Sequence, residues 1–226
     1  MKSYIILSEK SWHQSTFLGL AKKMPLISWH LISSKSDFGL KTLQKIKPEK
    51  IFVPHWSYII PKDIFNSYEC IVFHMTNLPY GRGGSPLQNL IERGHRKTCI
   101  SAIRVEEGID TGPVYLKKEL ALDGTANEIF VRAADIIEQM VIEIIENDIQ
   151  PQQQTGNEVL FKRRNPQQSS IANLTSLEKV YDYIRMLDCE GYPHAFLETD
   201  FLKVEFTKAV LDKQQITANV RITKKP

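Results

Sequence analysis

Four short apolar runs of strand length, the first three separated by segments of different period, constrain this chain more than any other feature. They are "SYIILS" at 3–8, "LISWHLIS" at 26–33, "KIFVPHW" at 50–56 and "ECIVFHM" at 69–75. Continuous runs rich in Val, Ile and aromatic residues suit strands buried on both faces. Between them, "STFLGLAKKM" (15–24), with Pro25 beyond it, and "GLKTLQKIK" (39–47), closed before Pro48, carry helical spacing. Strands alternating with helices predict an α/β fold, an open, mostly parallel sheet with helices on its faces. The stretch "SPLQNLIERG" (85–94) predicts a short helix with Ser85 as N-cap, Pro86 at the first helical position and Gly94 just past the end. "TCISAIRV" (98–105) and "GPVYLKKELAL" (112–122) read as extended. "TANE" (125–128) is a capping box opening a long amphipathic helix through Ile129, Phe130, Ala133, Ile137, Met140, Val141 and Ile144, which ends near Asn147.

The character changes near residue 150. "IQPQQQTGNEVLFKRRNPQQSS" is polar and turn-rich, as expected of a connection leaving the core, with a short strand at "EVLF". Beyond it "SLEKVYDYIRMLDC" places Leu177, Val180, Ile184 and Leu187 on one helical face, and "FLKVEFTKAVL" and "ITANVRIT" read as paired strands. The expected organisation is a main domain over 1–150, then a linker and small α+β subdomain over 151–226. With 226 residues and 42% hydrophobic content the chain can bury a sizeable core. A net charge of +3 with no basic block gives no electrostatic case for nucleic acid. Cys70, Cys99 and Cys189 form no C-x-x-C pair, which suits a reducing cytoplasm. The opening "MKSYIILSEKSWHQ" supports neither a signal peptide nor a membrane span, and the six histidines show no metal-ligand spacing.

His74 ends the fourth apolar run and precedes the turn "MTNLPYGRGGSP". Ligands of open α/β sheets usually bind outside the carboxyl ends of the strands, where this histidine is expected. It reads either as a core histidine bonded to backbone or as a chemical group. A second turn, "EEGIDTGPVY" (106–115), brackets Asp110 with glycines. Were the strand before it to neighbour that of His74, the Asp110 carboxylate would face the imidazole and fix its tautomer. Taken alone, Asp110 reads first as the cap of a turn shaped by Thr111 and Gly112.

"FHMTNLPYGRGGSP" followed by "VEEGIDTGPVY" resembles the family of formyltransferases that use N10-formyltetrahydrofolate. The match rests on His74, Leu78, Pro79, Arg82, Gly83, Gly108, Asp110, Thr111 and Gly112 and extends to about residue 150, and "YIIPKDIF" (58–65) is similar to the family's folate-side loop. The resemblance implies a Rossmann-like sheet, formyl transfer to an amine, and no metal. His74 and Asp110 become the catalytic pair. Tyr58, Ile59, Ile60, Leu78, Arg82, Val105 and Gly108 become cofactor contacts, with Val105 and Gly108 reading the pterin edge through their backbone; Ile59, Ile60 and Leu78 are apolar walls or plain core. One position departs from the pattern: Val72 stands where the family carries an asparagine that donates to the developing oxyanion. Loss of such a donor costs about 3 kcal/mol of transition-state stabilisation. Asn77 is the candidate replacement, with Thr76 behind it; otherwise Asn77 is a turn residue.

"LFKRRNPQQSSI" and "EGYPHAF" resemble the sugar N-formyltransferase branch, and the "HMTNLPYGRGGSPLQNLI" motif is similar to a subgroup of pseudaminic-acid-type pathways. The expected substrate is then a nucleotide-linked amino sugar, a UDP-4-amino-4,6-dideoxy-N-acetyl-altrosamine, with no nucleic-acid or membrane partner and with a homodimer left open. Substrate contacts would come from Lys10, Trp12, Pro79, Tyr80, Gly81, Arg163 and Arg164, although Lys10 equally suits a solvated helix entry and the two arginines a charged linker. Alternatives are a methionyl-tRNA or glycinamide-ribonucleotide formyltransferase, or a folate- or nucleotide-binding module impaired by Val72. A phosphate loop is a poor fit, since Gly81, Gly83 and Gly84 lack the G-x-x-x-x-G-K-[ST] spacing.

Overall fold

A computed structural model of the chain describes residues 1–225. In chain order its elements are β1 (Ser3–Ser8), α1 (His13–Lys23), β2 (Ser28–Ile32), α2 (Leu40–Ile46), β3 (Lys50–His55), α3 (Lys62–Ser67), β4 (Glu69–His74), β5 (Tyr80–Gly83), α4 (Pro86–Glu92), β6 (Lys97–Arg104), β7 (Val114–Ala121), α5 (Ala126–Glu146), β8 (Val159–Phe161), α6 (Leu177–Arg185), β9 (Ala195–Glu198), β10 (Leu202–Asp212) and β11 (Gln215–Lys224). The architecture is α/β. Six strands form one sheet in the order β2-β1-β3-β4-β6-β7. The first four are parallel, as the β–α alternation requires, and β6 runs antiparallel to β4.

The register explains why those runs are so apolar. Ile5 lies beside Ile51, Ile51 beside Cys70 and Val53 beside Val72, so equivalent positions stack across the sheet. Ile5, Leu7, Ile51, Val53 and Cys70 join Leu43 and Ile64 in one buried cluster on which Val72 also packs. Tyr4 and Phe73 sit on either side of Phe52, with ring centroids 5.9 and 6.4 Å from it. The same register sets Ser8 beside His55 and His74 beside Ser101, which brings polar residues together at the carboxyl end of the parallel strands.

The chain divides into two compact units. One comprises Met1–Gly83, Cys99–Leu120 and Val131–Leu160; the other comprises Gly84–Thr98, Ala121–Phe130 and the residues from Phe161 onward. In the second unit β11, β10 and β9 form an antiparallel sheet against which α6 lies. Arg185 of α6 is buried, pairs with Asp182 at 2.7 Å and donates to the carbonyls of Leu122 and Gly124. The capping box at α5 is present: Thr125 N–H donates to Glu128 Oε2 at 2.7 Å and Glu128 N–H donates to Thr125 Oγ1 at 3.3 Å.

Three local expectations change. Residues 58–65 are not all loop, because Pro61 takes the N-cap position of α3. The glycine-rich turn contains a strand, β5, which pairs with β8. Ser85 does occupy the N-cap of α4, but with φ +52° its hydroxyl is turned away from the helix and accepts instead from Arg164 N–H at 3.1 Å. The three cysteines are free. No helix among the described residues is long and apolar enough to cross a membrane.

Candidate active site

His74 is the last residue of β4, and its side chain is 7% exposed. Its ring is held from both sides. Nε2 lies 2.7 Å from the carbonyl oxygen of Gly81, and Nδ1 lies 3.5 Å from Asp110 Oδ2. A carbonyl can only accept, so Nε2 carries the proton in that contact. Both neighbours are acceptors, so the ring acts as a donor at Nε2 and, when protonated there, at Nδ1 as well.

Each neighbour is placed by backbone that ordinary residues rarely supply. Gly81 has φ +80°, which turns its carbonyl back toward β4. Asp110 itself has φ +54°, and its Oδ2 accepts Gly83 N–H at 2.9 Å. Gly112 follows because nothing larger fits: a Cβ there would lie 1.7 Å from the Arg104 carbonyl oxygen. The D-T-G turn is therefore folded tightly onto the end of β6, which carries Asp110 to the histidine.

Thr76 is fully buried and its hydroxyl donates to the Gly81 carbonyl at 3.3 Å, so it has no proton to offer a ligand. Asn77 is exposed. Its Oδ1 accepts from Lys117 Nζ at 2.8 Å, and the same ammonium reaches the Leu78 carbonyl. An ammonium can only donate, so this contact fixes which way the amide points and leaves the Asn77 NH2 without a protein partner among the described residues. Burial lowers the Lys117 pKa from its ordinary value. Sequence reading missed Lys117, which looks like one more polar residue on β7.

The positions expected to line the cofactor site divide. Ile60 is buried in the sheet cluster and Leu78 is 1% exposed, so both belong to the core. Val105 N–H is engaged by the Cys70 carbonyl at 2.8 Å, which removes it as a reader of a ligand edge; its residue lines a cavity of about 470 Å³ together with Lys62, Tyr68, Glu69 and Arg104. Arg82 faces the protein, bonded to Glu158 and Gln154. Tyr58 is exposed, Ile59 is 90% exposed and Ile109 is 68% exposed. Gly108 and Ile109 have no hydrogen-bond partner for their backbone groups among the described residues. Exposed apolar side chains beside unpaired backbone groups fit a flat heterocycle with a polar edge.

The positions expected to touch substrate divide as well. Lys10 Nζ lies 5.7 Å from the Trp12 ring centre, and Trp12 meets His55 edge to face at 6.2 Å. The Pro79 and Gly81 carbonyls are engaged by Val159 N–H and His74. Tyr80 is half-buried in β5. Arg163 and Arg164 lie in the second unit. There Arg164 pairs with Glu92 at 2.5 Å, donates to the Gln168 carbonyl and lies over the Tyr183 ring, so it is a structural residue rather than a free cation.

Residues 31–148 match the family described as formyl transferase, a little over half of the chain. The chain belongs to the formyltransferase family. Residues 166–223 match the description "methionyl-tRNA formyltransferase, C-terminal domain". A solved structure described as methionyl-tRNA formyltransferase from Clostridium thermocellum is 47% identical, covers 100% of both chains and superposes with a TM-score of 0.97. A curated methionyl-tRNA formyltransferase from Francisella philomiragia is 29% identical over 88% of this chain and 66% of its own length. A sugar N-formyltransferase from Shewanella is 18% identical over 94% of this chain and 100% of that one, with a TM-score of 0.72, a likeness of fold. The chain spans 45–66% of the length of the curated relatives it matches.

These findings correct the expected substrate. The nucleotide-linked amino sugar, the pseudaminic-acid pathway and the absence of a nucleic-acid partner are overturned by the 47% likeness along the whole of both chains to a protein named for methionyl-tRNA. The physical reason the sequence misled is visible in Arg164: the Arg-Arg-Asn-Pro stretch is fixed by an internal ion pair and stacking, so it reports packing and not a sugar.

Proposed function

We propose that this chain transfers the formyl group of 10-formyltetrahydrofolate to the amino group of methionine carried on tRNA. The observation that supports the substrate most is the 47% identity, over the full length of both chains, to a protein described as a methionyl-tRNA formyltransferase. The pairing of His74 with Asp110 supports the chemistry. Residues 1–150 carry the transfer in this reading, and 151–226 form a linker and small subdomain.

Formyltetrahydrofolate supplies a formyl carbon bound to N10. Ile59 and Ile109, both exposed, would hold its ring, and the backbone of Gly108 would meet its edge. A C–N bond forms between the methionine amine and the formyl carbon, the bond to N10 breaks, and one amine proton ends on N10. His74 Nδ1 accepts that proton in passing, and the Asp110 carboxylate stabilises the cation while it lasts. One donor faces the formyl oxygen as charge builds on it, the Asn77 NH2, aimed outward by Lys117, while the His74 Nε2–H stays on the Gly81 carbonyl.

The test supplies purified chain and formyltetrahydrofolate with methionyl-tRNA or glycinamide ribonucleotide in parallel. Formylation of methionyl-tRNA is expected, and His74→Ala should abolish it. Formylation of glycinamide ribonucleotide alone would overturn the substrate. Asn77→Ala should slow transfer by about 10²-fold or more; an unchanged rate would remove Asn77 from the mechanism. Val72, packed on the apolar cluster where a donor is expected, favours a second reading, a folate-binding module without turnover. Tight folate binding with no formyl transfer in a single-turnover experiment would select it.

A further inference from the structure

The segment between the two family matches, residues 149–165, is assigned nothing by either. Its composition is that of a linker. Its structure is that of a strap across both loops that touch His74. Gln152 exchanges backbone hydrogen bonds with Val114 at 2.7 and 2.8 Å. Two residues on, the Gln154 side chain makes four hydrogen bonds: Nε2 donates to the carbonyls of Asp110 at 2.8 Å and Gly112 at 2.7 Å, and Oε1 accepts from Arg82 Nε at 3.2 Å and Nη2 at 2.8 Å. Glu158 then pairs with the other end of the Arg82 guanidinium, and Val159 N–H reaches the Pro79 carbonyl.

Both partners of the His74 ring are thereby tied to one side chain. Nδ1 faces Asp110, whose own carbonyl is held by Gln154. Nε2 donates to Gly81, whose chain neighbour Arg82 is held by Gln154. Asp110 adopts a backbone conformation unfavourable for a residue with a Cβ, and pinning the carbonyls on either side of Thr111 is what a turn of this kind requires to persist. We infer that Gln154 is a positioning residue for formyl transfer: it holds the Gly81 carbonyl and the Asp110 carboxylate at fixed positions on opposite sides of the His74 ring. The inference rests on the reading of His74 as the group that handles the proton. An amide is the side chain this junction calls for, because two carbonyls must receive N–H groups while a guanidinium receives oxygen, and only Gln or Asn offers both.

The test compares wild type with Gln154→Leu, which keeps the bulk and removes all four hydrogen bonds, and Gln154→Asn, which keeps the chemistry on a shorter stem. Displacements of about 1 Å at a reacting group cost on the order of 10²-fold in rate. Gln154→Leu should therefore lower kcat 10- to 100-fold, with the KM for formyltetrahydrofolate within threefold of wild type, and Gln154→Asn should recover part of the loss. The ¹⁵N shifts of the His74 ring give a readout independent of turnover: wild type should show one dominant Nε2-protonated form when neutral, and Gln154→Leu a mixture. Unchanged kcat and ring shifts in a folded Gln154→Leu variant would overturn the inference. So would a fall in kcat matched by a fall in thermal stability while the ring shifts stay as in wild type, since Gln154 would then support only the fold. A wild type that transfers no formyl group, yet whose His74 shifts respond to Gln154→Leu, would sink the proposed function and leave the positioning intact.

Discussion

Gly112→Ala is the sharpest single-atom test of how Asp110 reaches His74. The new Cβ would sit 1.7 Å from the Arg104 carbonyl oxygen and 2.9 Å from its carbon. Ordinary contact between such atoms begins near 3.2–3.5 Å, so backbone must separate by about 1.5 Å at this point. The obstructing atoms are main chain, at the end of β6, so the D-T-G turn must give way. Arg104 N–H donates to the Pro113 carbonyl at 2.9 Å, and Gln154 donates to the Gly112 carbonyl at 2.7 Å; a displacement of that size breaks at least the second. Overpacking of this kind costs about 1–3 kcal/mol, which for a chain of this size lowers Tm by roughly 2–12 °C. Because Asp110 moves with the turn, formyl transfer should fall on the order of 10²-fold. Calorimetry and a steady-state assay on the same preparation check both numbers. Wild-type turnover together with a wild-type Tm would refute the reasoning, for it would mean that the turn is loose enough to accept a methyl group against Arg104.

Other perturbations separate chemistry from packing. Val72→Asn introduces a donor where one is absent; a site short of an oxyanion donor should gain at least tenfold in kcat while losing about 1–3 kcal/mol for a polar group packed against the apolar cluster. No gain would mean that the need is already met elsewhere, with Asn77 the first place to look. His13 is buried against Ser8 Oγ at 2.7 Å, and burial, with a smaller effect of His55, pushes its pKa down to about 3. Its folded value lies below its unfolded value of about 6.5, so the unfolded chain takes up the proton first and stability is lost as pH falls below 6.5 toward 3. Urea unfolding at pH 6.5 and pH 5 should show about 2 kcal/mol less of this loss in His13→Gln than in wild type; equal losses would remove His13 as the cause. Arg164→Ala leaves the part-exposed Glu92 with the Tyr183 hydroxyl but without its ion-pair partner and should cost about 1–3 kcal/mol, with KM for either substrate unchanged. A large rise in KM would return Arg164 to the substrate site.

The parallel core was legible because its residues obey one rule at every level: apolar strands, helices between them, and register that stacks like on like. His74 and Asp110 were legible for a related reason, since each stands where regular structure stops and a turn needing glycine begins. The caps of α4 and α5 were legible from three or four adjacent residues, although at α4 the Ser85 hydroxyl turned to Arg164, a partner 79 residues away that no local pattern announces. Lys117 and Gln154 could not be read at all. Each acts through atoms 39 to 72 residues distant, Lys117 as one polar residue of a strand and Gln154 in a segment with the composition of a linker. Val72 shows the opposite case: the sequence flagged a missing donor, and the structure explains why valine is at home there, packed on a cluster of its own kind.

The strap over 152–159 bears on how such a chain could be divided or recombined. A fragment ending near residue 150, where the composition changes, would keep all six strands of the main sheet and the His74 and Asp110 side chains. It would lose the glutamine that fastens their loops together. Exchange of C-terminal portions between relatives would meet the same constraint, so the segment that holds the two loops around His74 extends about ten residues past the point at which the sequence stops looking like a core.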